Sequence, residues 1–195
     1  MNFPIPSVST SDLAWLHDKL VLDAEAAGLL DVAYRVVDTP VGPLLLASTT
    51  VGLVKVAFVA EGEDAVLDEL ARQIGPRILD APARFDDAVR QLDEYFGGTR
   101  TAFDLPLDFR LATGFRREVI SRLADIEYGR TASYADVAAS AGSPRAVRAV
   151  GTACAKNPLP VVLPCHRVVR TDGGLGQYAG GVEAKQILLR LEAAA

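Results

Sequence analysis

The segment Ser133–Pro158, SYADVAASAGSPRAVRAVGTACAKNP, decides the fold of the second half of this 195-residue chain. Ser133 is placed to cap a short helix running through Ala141. Gly142-Ser143-Pro144 then turns the chain, and a further helix is expected to about Lys156, where Asn157-Pro158 ends it. Two short helices joined at a glycine turn have the spacing of a helix-turn-helix, a pattern that ordinary helical domains also use. In the second of these helices Ala146, Ala149, Gly151, Ala153 and Ala155 keep the surface small, so that it can lie close against a partner. Arg145 and Arg148 are its long basic residues.

Downstream, Leu159–Leu163 is an apolar run expected to be extended, and it leads into Pro164-Cys165-His166-Arg167-Val168. A free cysteine is commonly a small buried hydrophobe, which is the reading for Cys154 among Ala, Gly and Val. Cys165 differs, because it follows the apolar run beside a histidine and within a local excess of arginine. That electropositive setting is expected to lower a thiol pKa and raise its thiolate fraction. His166 can serve as its base only within hydrogen-bond reach, directly or through one water; the alternative is a satisfied core histidine.

Upstream, Thr113-Gly114 opens a helix whose apolar side is Phe115, Val119, Ile120 and Leu123, and Phe103–Phe109 reads as an extended link. Before it, three short β-like runs, Ala33–Val37, Pro43–Ala47 and Val54–Val59, are separated by tight turns that favour antiparallel hairpins. Helices are expected at Asp64–Ile74 and Arg84–Phe96, the latter burying Phe85, Val89, Leu92 and Phe96 and stopping at Gly97-Gly98. At the start, Ser11 and Asp12 suggest an N-cap and first turn for a helix over Leu13–Leu30 that covers the neighbouring core and carries no chemistry. The fold class is α+β: a helical arm at 1–31, a small antiparallel-sheet domain at 32–109, and a mostly helical domain at 110–195.

Charge is divided along the same lines. Residues 1–109 hold 8 Lys and Arg against 18 Asp and Glu, a net of −10, whereas 110–195 hold 12 against 7, a net of +5. The acidic average therefore conceals a half that can face a polyanion, the alternative being a solvated, arginine-rich surface. The two cysteines and two histidines, Cys154, Cys165, His166 and the distant His17, are not expected to build a structural zinc site, so no metal is expected. A disulfide framework is not expected either. Nothing approaches the length of a membrane helix, and Met1–Ser11 lacks the pattern of a secretory leader, which points to the cytoplasm.

The run Pro164-Cys165-His166-Arg167-Val168 resembles the active-site signature of the O6-alkylguanine-DNA alkyltransferases, the methylated-DNA-protein-cysteine methyltransferases. The match extends over some sixty residues, from Ser133-Tyr134 through Asn157-Pro158 and Gly176-Gln177-Tyr178-Ala179-Gly180-Gly181 to Leu188-Leu189-Arg190-Leu191-Glu192. The first hundred residues match in general layout only.

The resemblance implies direct repair of double-stranded DNA with no cofactor. The alkyl group of O6-alkylguanine, and on the same grounds O4-alkylthymine, would pass irreversibly to Cys165 after the base is flipped out through the minor groove. It further implies that His166 activates the thiol and Glu192 orients His166, which requires the C-terminal helix, Val182–Glu192, to pack on the site. Tyr134 would press on a phosphate and donate to guanine N3. Arg148 would fill the gap left by the base, with Arg145, Ala149 and Gly151 on the DNA-facing helix. Asn157 would brace the turn before the cysteine, while Val168, Tyr178, Ala179 and Gly180 form the pocket. Ala179 stands where many relatives have serine, so a backbone N–H has to make any contact there. A monomer that binds DNA, cooperatively or not, is implied.

Two other readings compete. One is a non-catalytic alkyltransferase-like module that binds lesions; those relatives lack the reactive cysteine, which this chain keeps. The other is a Cys-His hydrolase built on Cys165, His166 and Glu192, which leaves Arg148 and the charge asymmetry unexplained.

Overall fold

The computed structural model describes residues 9–193. Helix α1, Thr10–Ala26, begins earlier than expected: Ser9, not Ser11, is the N-cap, and it forms a reciprocal capping box with Asp12. The helix also ends at Ala26, because Ala27, Gly28 and Leu29 turn back onto its last carbonyls. It covers little core. None of its residues is buried, and Leu13, Trp15, Leu16, Leu20 and Leu22 are each at least half exposed. Its attachment consists of His17 Nε2 on the Asp80 carbonyl, Glu25 beside Arg84, and partial burial of Val21. Residues 1–8 of the expected arm lie outside the described residues.

Strands β1 (Val32–Val37), β2 (Leu44–Ser48) and β3 (Leu53–Phe58) form the expected antiparallel meander. A fourth strand was not anticipated. After α2 (Glu63–Gln73), the three-residue β4 (Ile78–Asp80) pairs parallel to β1, giving the order β3-β2-β1-β4. A three-residue strand carries too short a pattern to be separated from a loop by periodicity. Helix α3 (Asp86–Phe96) follows a 3₁₀ turn at Pro82–Phe85. Its buried face is Ala88, Gln91, Leu92 and Tyr95; Val89 and Phe96 are only partly covered.

The link at 103–109 lies along the outer edge of β3, where Leu53 N donates to the Pro106 carbonyl and Asp108 N to the Leu53 carbonyl. From the second half, Pro158 accepts a hydrogen bond from Val56 N at 2.7 Å. The sheet edge is thus covered by chain segments rather than left open. The second half contains α4 (Gly114–Leu123), a two-residue β5 (Ala132–Ser133), α5 (Tyr134–Ser140), α6 (Val147–Ala155), β6 (Val168–Val169) and α7 (Gly181–Ala193). Ser133 caps α5 through a second capping box with Asp136. One hydrophobic cluster runs through both halves, from Phe58, Phe85 and Tyr95 to Val150, Val161, Cys165 and Leu188. Among the described residues no helix is long and apolar enough to cross a membrane.

Candidate active site

Pro158 starts the site by breaking helix α6. With helical bonds lost, Asn157 supplies them from its side chain: Oδ1 accepts from Leu159 N at 3.0 Å and Nδ2 donates to the Leu163 carbonyl at 2.9 Å. The same Nδ2 lies 3.2 Å from Cys165 Sγ. The expected extended run at 159–163 is instead a compact turn, with Leu163 N bonded to the Leu159 carbonyl and Val161 in the left-handed region at φ 72°. Cys165 then opens a 3₁₀ turn, Cys165–Arg167, that leads into β6.

That turn places three consecutive side chains inward. His166 is completely buried, and its Nε2 lies 2.9 Å from Glu192 Oε1 on α7. Arg167 donates to both Glu192 oxygens at 2.9 Å and also to the Ile126 carbonyl. From the other half of the chain, Tyr95 donates its hydroxyl to Glu192 Oε1 at 2.7 Å. Burial opposes the charge of Glu192, but its bonds to His166, Arg167 and Tyr95 outweigh that and bring the carboxyl down to about 2. An ionised carboxylate only accepts, so Nε2 carries the imidazole proton and Nδ1 has the lone pair. Nδ1 is buried with no partner among the described residues. Burial also lowers the His166 pKa, which keeps the ring neutral and able to take a proton.

The thiol environment differs from the expectation. Cys165 is 3% exposed, and burial pushes its thiol up to about 11 despite the Asn157 amide and the nearby Lys185. The local arginine excess does not lower it, because the Arg167 charge is already paired with Glu192 and Arg170 faces solvent. Nor does the sulfur stand open at the floor of a pocket. Tyr178, whose ring centroid lies 6.2 Å from that of His166, is itself buried. It also lines an outer cavity of about 380 Å³ with Ala155, Gln177, Ala179, Gly181 and Val182. Tyr178 therefore stands between that cavity and the buried centre.

Other expected residues fall as follows. Tyr134 begins α5, half-buried; Gly151 of α6 leaves room beside its ring, and a Cβ at Gly176 would come 2.6 Å from its hydroxyl. Gly176 is thus required by close approach to Tyr134. Gly180 is likewise required by contact with the Phe58 ring of β3, not by space for a base. Val168 is buried in β6 and pairs with Ala132, and Ala179 is half-exposed at the cavity rim. Arg148 and Ala149 are exposed on α6, but Arg145 precedes that helix, whose N-cap is Ala146, and so sits in the turn. Ala153 faces the core. Among the described residues Arg145, Arg148, Lys156 and Arg170 are exposed and form no ion pair, so their positive charge is not neutralised by neighbouring carboxylates. Cys154 is buried in α6 as expected.

Sequence reasoning missed three buried polar groups. Tyr95 occupies the buried stripe of α3, and a buried tyrosine needs a partner for its hydroxyl; periodicity could show the stripe but not the partner. Lys185, fully buried, donates from Nζ to the Val168 carbonyl at 2.6 Å and to the Leu175 carbonyl, joining β6 to the segment before Tyr178. Its place among Ala184, Leu188 and Glu192 on the inner face of α7 was a legible signal. In the sequence Arg167 counts only as part of the arginine excess about Cys165.

Both halves of the chain resemble known proteins. Residues 32–109 match the family model described as the 6-O-methylguanine DNA methyltransferase, ribonuclease-like domain, and residues 114–194 match the one described as its DNA binding domain. A methylated-DNA–protein-cysteine methyltransferase of Methanosarcina barkeri is 39% identical over 82% of this chain and 96% of its own length. The Escherichia coli bifunctional transcriptional activator/DNA repair enzyme Ada is 40% identical over 84% of this chain and 46% of its own. The crystal structure of the Mycobacterium tuberculosis O6-methylguanine methyltransferase aligns with a TM-score of 0.74 at 38% identity, covering 84% of this chain and 93% of that one. The same enzyme in complex with DNA aligns at 0.73, covering 83% and 93%.

Proposed function

Because the chain belongs to the 6-O-methylguanine DNA methyltransferase family, we propose that Cys165 is the sulfur that receives the alkyl group when this protein repairs O6-alkylguanine in double-stranded DNA. The observation that carries the assignment is the polar setting of this turn: Asn157 Nδ2 on Sγ and, on the next residue, an imidazole pinned by Glu192 so that Nδ1 is left as the acceptor.

In this reading α6, with Arg145, Arg148 and Lys156 about it, meets the backbone of the duplex, and the small residues Ala149 and Gly151 suit the minor groove. Arg148 occupies the space of the everted base. The 3% exposure of Cys165 means that a base reaches the sulfur only after Tyr178 and the adjoining segment yield. His166 Nδ1 then takes the thiol proton, directly or through one water, as Sγ bonds to the alkyl carbon and the carbon–O6 bond breaks. The electron pair of that bond stays on guanine, where Tyr134 stabilises the developing charge by donating to N3; the proton released by sulfur ends on the base. The product thioether has no second nucleophile to remove it, so each chain acts once. O4-alkylthymine would be handled by the same displacement.

A functional layout of arm 1–31, sheet domain 32–109 and DNA-binding, alkyl-accepting domain 110–195, acting as a monomer in the cytoplasm, goes with this reading. A reactive thiol needs a reducing compartment.

Incubation with excess O6-methylguanine DNA, followed by mass analysis of the peptides, is expected to find one methyl per chain, on Cys165. Cys165→Ser should keep DNA affinity and lose all transfer. Repeated turnover, a methyl elsewhere, or repair by Cys165→Ser overturns the assignment.

A further inference from the structure

We propose that Tyr95, contributed by the sheet domain, is a positioning residue for alkyl transfer: its hydroxyl holds the Glu192 oxygen that orients His166. The inference rests on the reading of Cys165 as alkyl acceptor.

Glu192 Oε1 receives donors from three residues, Tyr95 Oη at 2.7 Å, His166 Nε2 at 2.9 Å, and Arg167 through Nη2 at 2.9 Å and Nε at 3.2 Å. Tyr95 Oη lies 3.5 Å from His166 Nε2. Since both groups donate toward the same oxygen, that separation is a shared acceptor and not a bond between them. Glu192 Oε2 is occupied by Arg167 Nε and, at 3.3 Å, by Gly129 N. The carboxylate is thus fixed from three other segments of the chain, and among the described residues the hydroxyl is the one hydrogen bond to it that reaches across from the sheet domain.

The ring cannot move away. It is 1% exposed and sits in edge or tilted contact with Phe96, Phe103 and Tyr128 at centroid distances of 5.2–6.0 Å. Burial drives the phenol pKa well above its ordinary value, so the group remains a donor at every pH at which the protein is folded. A hydroxyl that is always a donor, in a site that cannot relax, draws charge from Oε1. Less negative charge is then left to stabilise an imidazolium. His166 is consequently both fixed in the Nε2–H tautomer and kept weakly basic. The other ionisable groups about the imidazole are Arg167 on its own turn, Lys185 on α7, and Tyr178, whose ring stands edge-on to it. Neither cation favours its protonation.

Tyr95→Phe keeps the ring and deletes the donor. In single-turnover transfer from O6-methylguanine DNA the variant is expected to lose about tenfold in rate with DNA affinity unchanged, the usual consequence of losing one hydrogen bond to a charged group. The acid limb of its rate–pH profile should move to higher pH, since Glu192 then stabilises the imidazolium more strongly. A merely structural role would leave that limb in place. Nitrogen NMR of His166 in the unmodified protein provides a reading that needs no variant: Nε2 should carry the proton and Nδ1 should not. A folded Tyr95→Phe with the parental rate and acid limb, or a His166 protonated on Nδ1 alone, overturns the proposal. A parental protein that moves no methyl to Cys165 instead overturns the functional reading.

Discussion

In the proposed reading Asn157 serves both the fold and the chemistry through three contacts made by one buried amide. Replacing it with alanine leaves the Leu159 N–H and the Leu163 carbonyl unpaired in the interior, and each orphaned group costs on the order of 1–3 kcal/mol. Chemical denaturation of Asn157→Ala should therefore show a loss of about 2–4 kcal/mol, together with slower alkyl transfer because the donor to Sγ is gone. Unchanged stability would mean that the turn does not depend on this amide. Cys165 itself illustrates what sequence can and cannot give at this scale. Its neighbours, an apolar run, a histidine and arginines, identify it as a reactive candidate, yet they suggest an activated thiolate, and the folded chain buries a thiol with its pKa at about 11. Sequence adjacency gives the charges but not their directions, and Arg167 turns inward to a partner twenty-five residues away.

Among the elements, the segment between β6 and α7 is fixed at three points: Gly176 against Tyr134, Gly180 against Phe58, and the Leu175 carbonyl on Lys185. Gly180→Ala places a Cβ in the Phe58 ring, and because Phe58 is 4% exposed neither side yields freely. Overpacking of this kind costs about 1–3 kcal/mol. The segment should lift, so that Tyr178 covers the sulfur less well and reaction of Cys165 with a disulfide reagent accelerates. An unchanged thiol reactivity would show that Tyr178 is held independently of Gly180. The elements were unevenly legible. Helix α5 carries a cap and α4 an apolar spacing after Thr113-Gly114, and these place both starts within a residue or so. β4 and the turn at 159–163 do not, since they are held by pairing with β1 and by the Asn157 side chain, contacts that no local pattern encodes. The glycines at 176 and 180 suggest close approach, while the partner that approaches is known only from the fold.

In the molecule as a whole, the sheet and helical halves share one apolar cluster and one polar centre, so a single cooperative unfolding transition is expected in calorimetry; two resolved transitions would contradict it. The polar centre also sets the acid response. Glu192 ordinarily titrates at 4.5 and is brought to about 2 in the fold, so its contribution is present above 4.5 and disappears as pH falls toward 2. His166, held neutral below its ordinary 6.5, makes the folded state bind fewer protons than the unfolded one from that pH downward, which acts in the same direction. Stability should therefore fall steadily from pH 6.5 to 2, and Glu192→Gln should flatten the lower part of that slope. An equally steep slope in the variant would assign the acid sensitivity elsewhere. The charge division along the chain was open to simple counting, but the joining of its halves through Tyr95 and Glu192, ninety-seven residues apart, was not.

Trp15, the sole tryptophan, stands 62% exposed on α1, the helix that His17 ties to the end of β4. Its emission should be that of an indole in water, and occupancy of the lesion site should leave the colour and intensity of that light unchanged. A blue shift would then announce that something had settled on the arm, making the protein's own fluorescence a detector for whatever engages α1 and blind to the repair event itself.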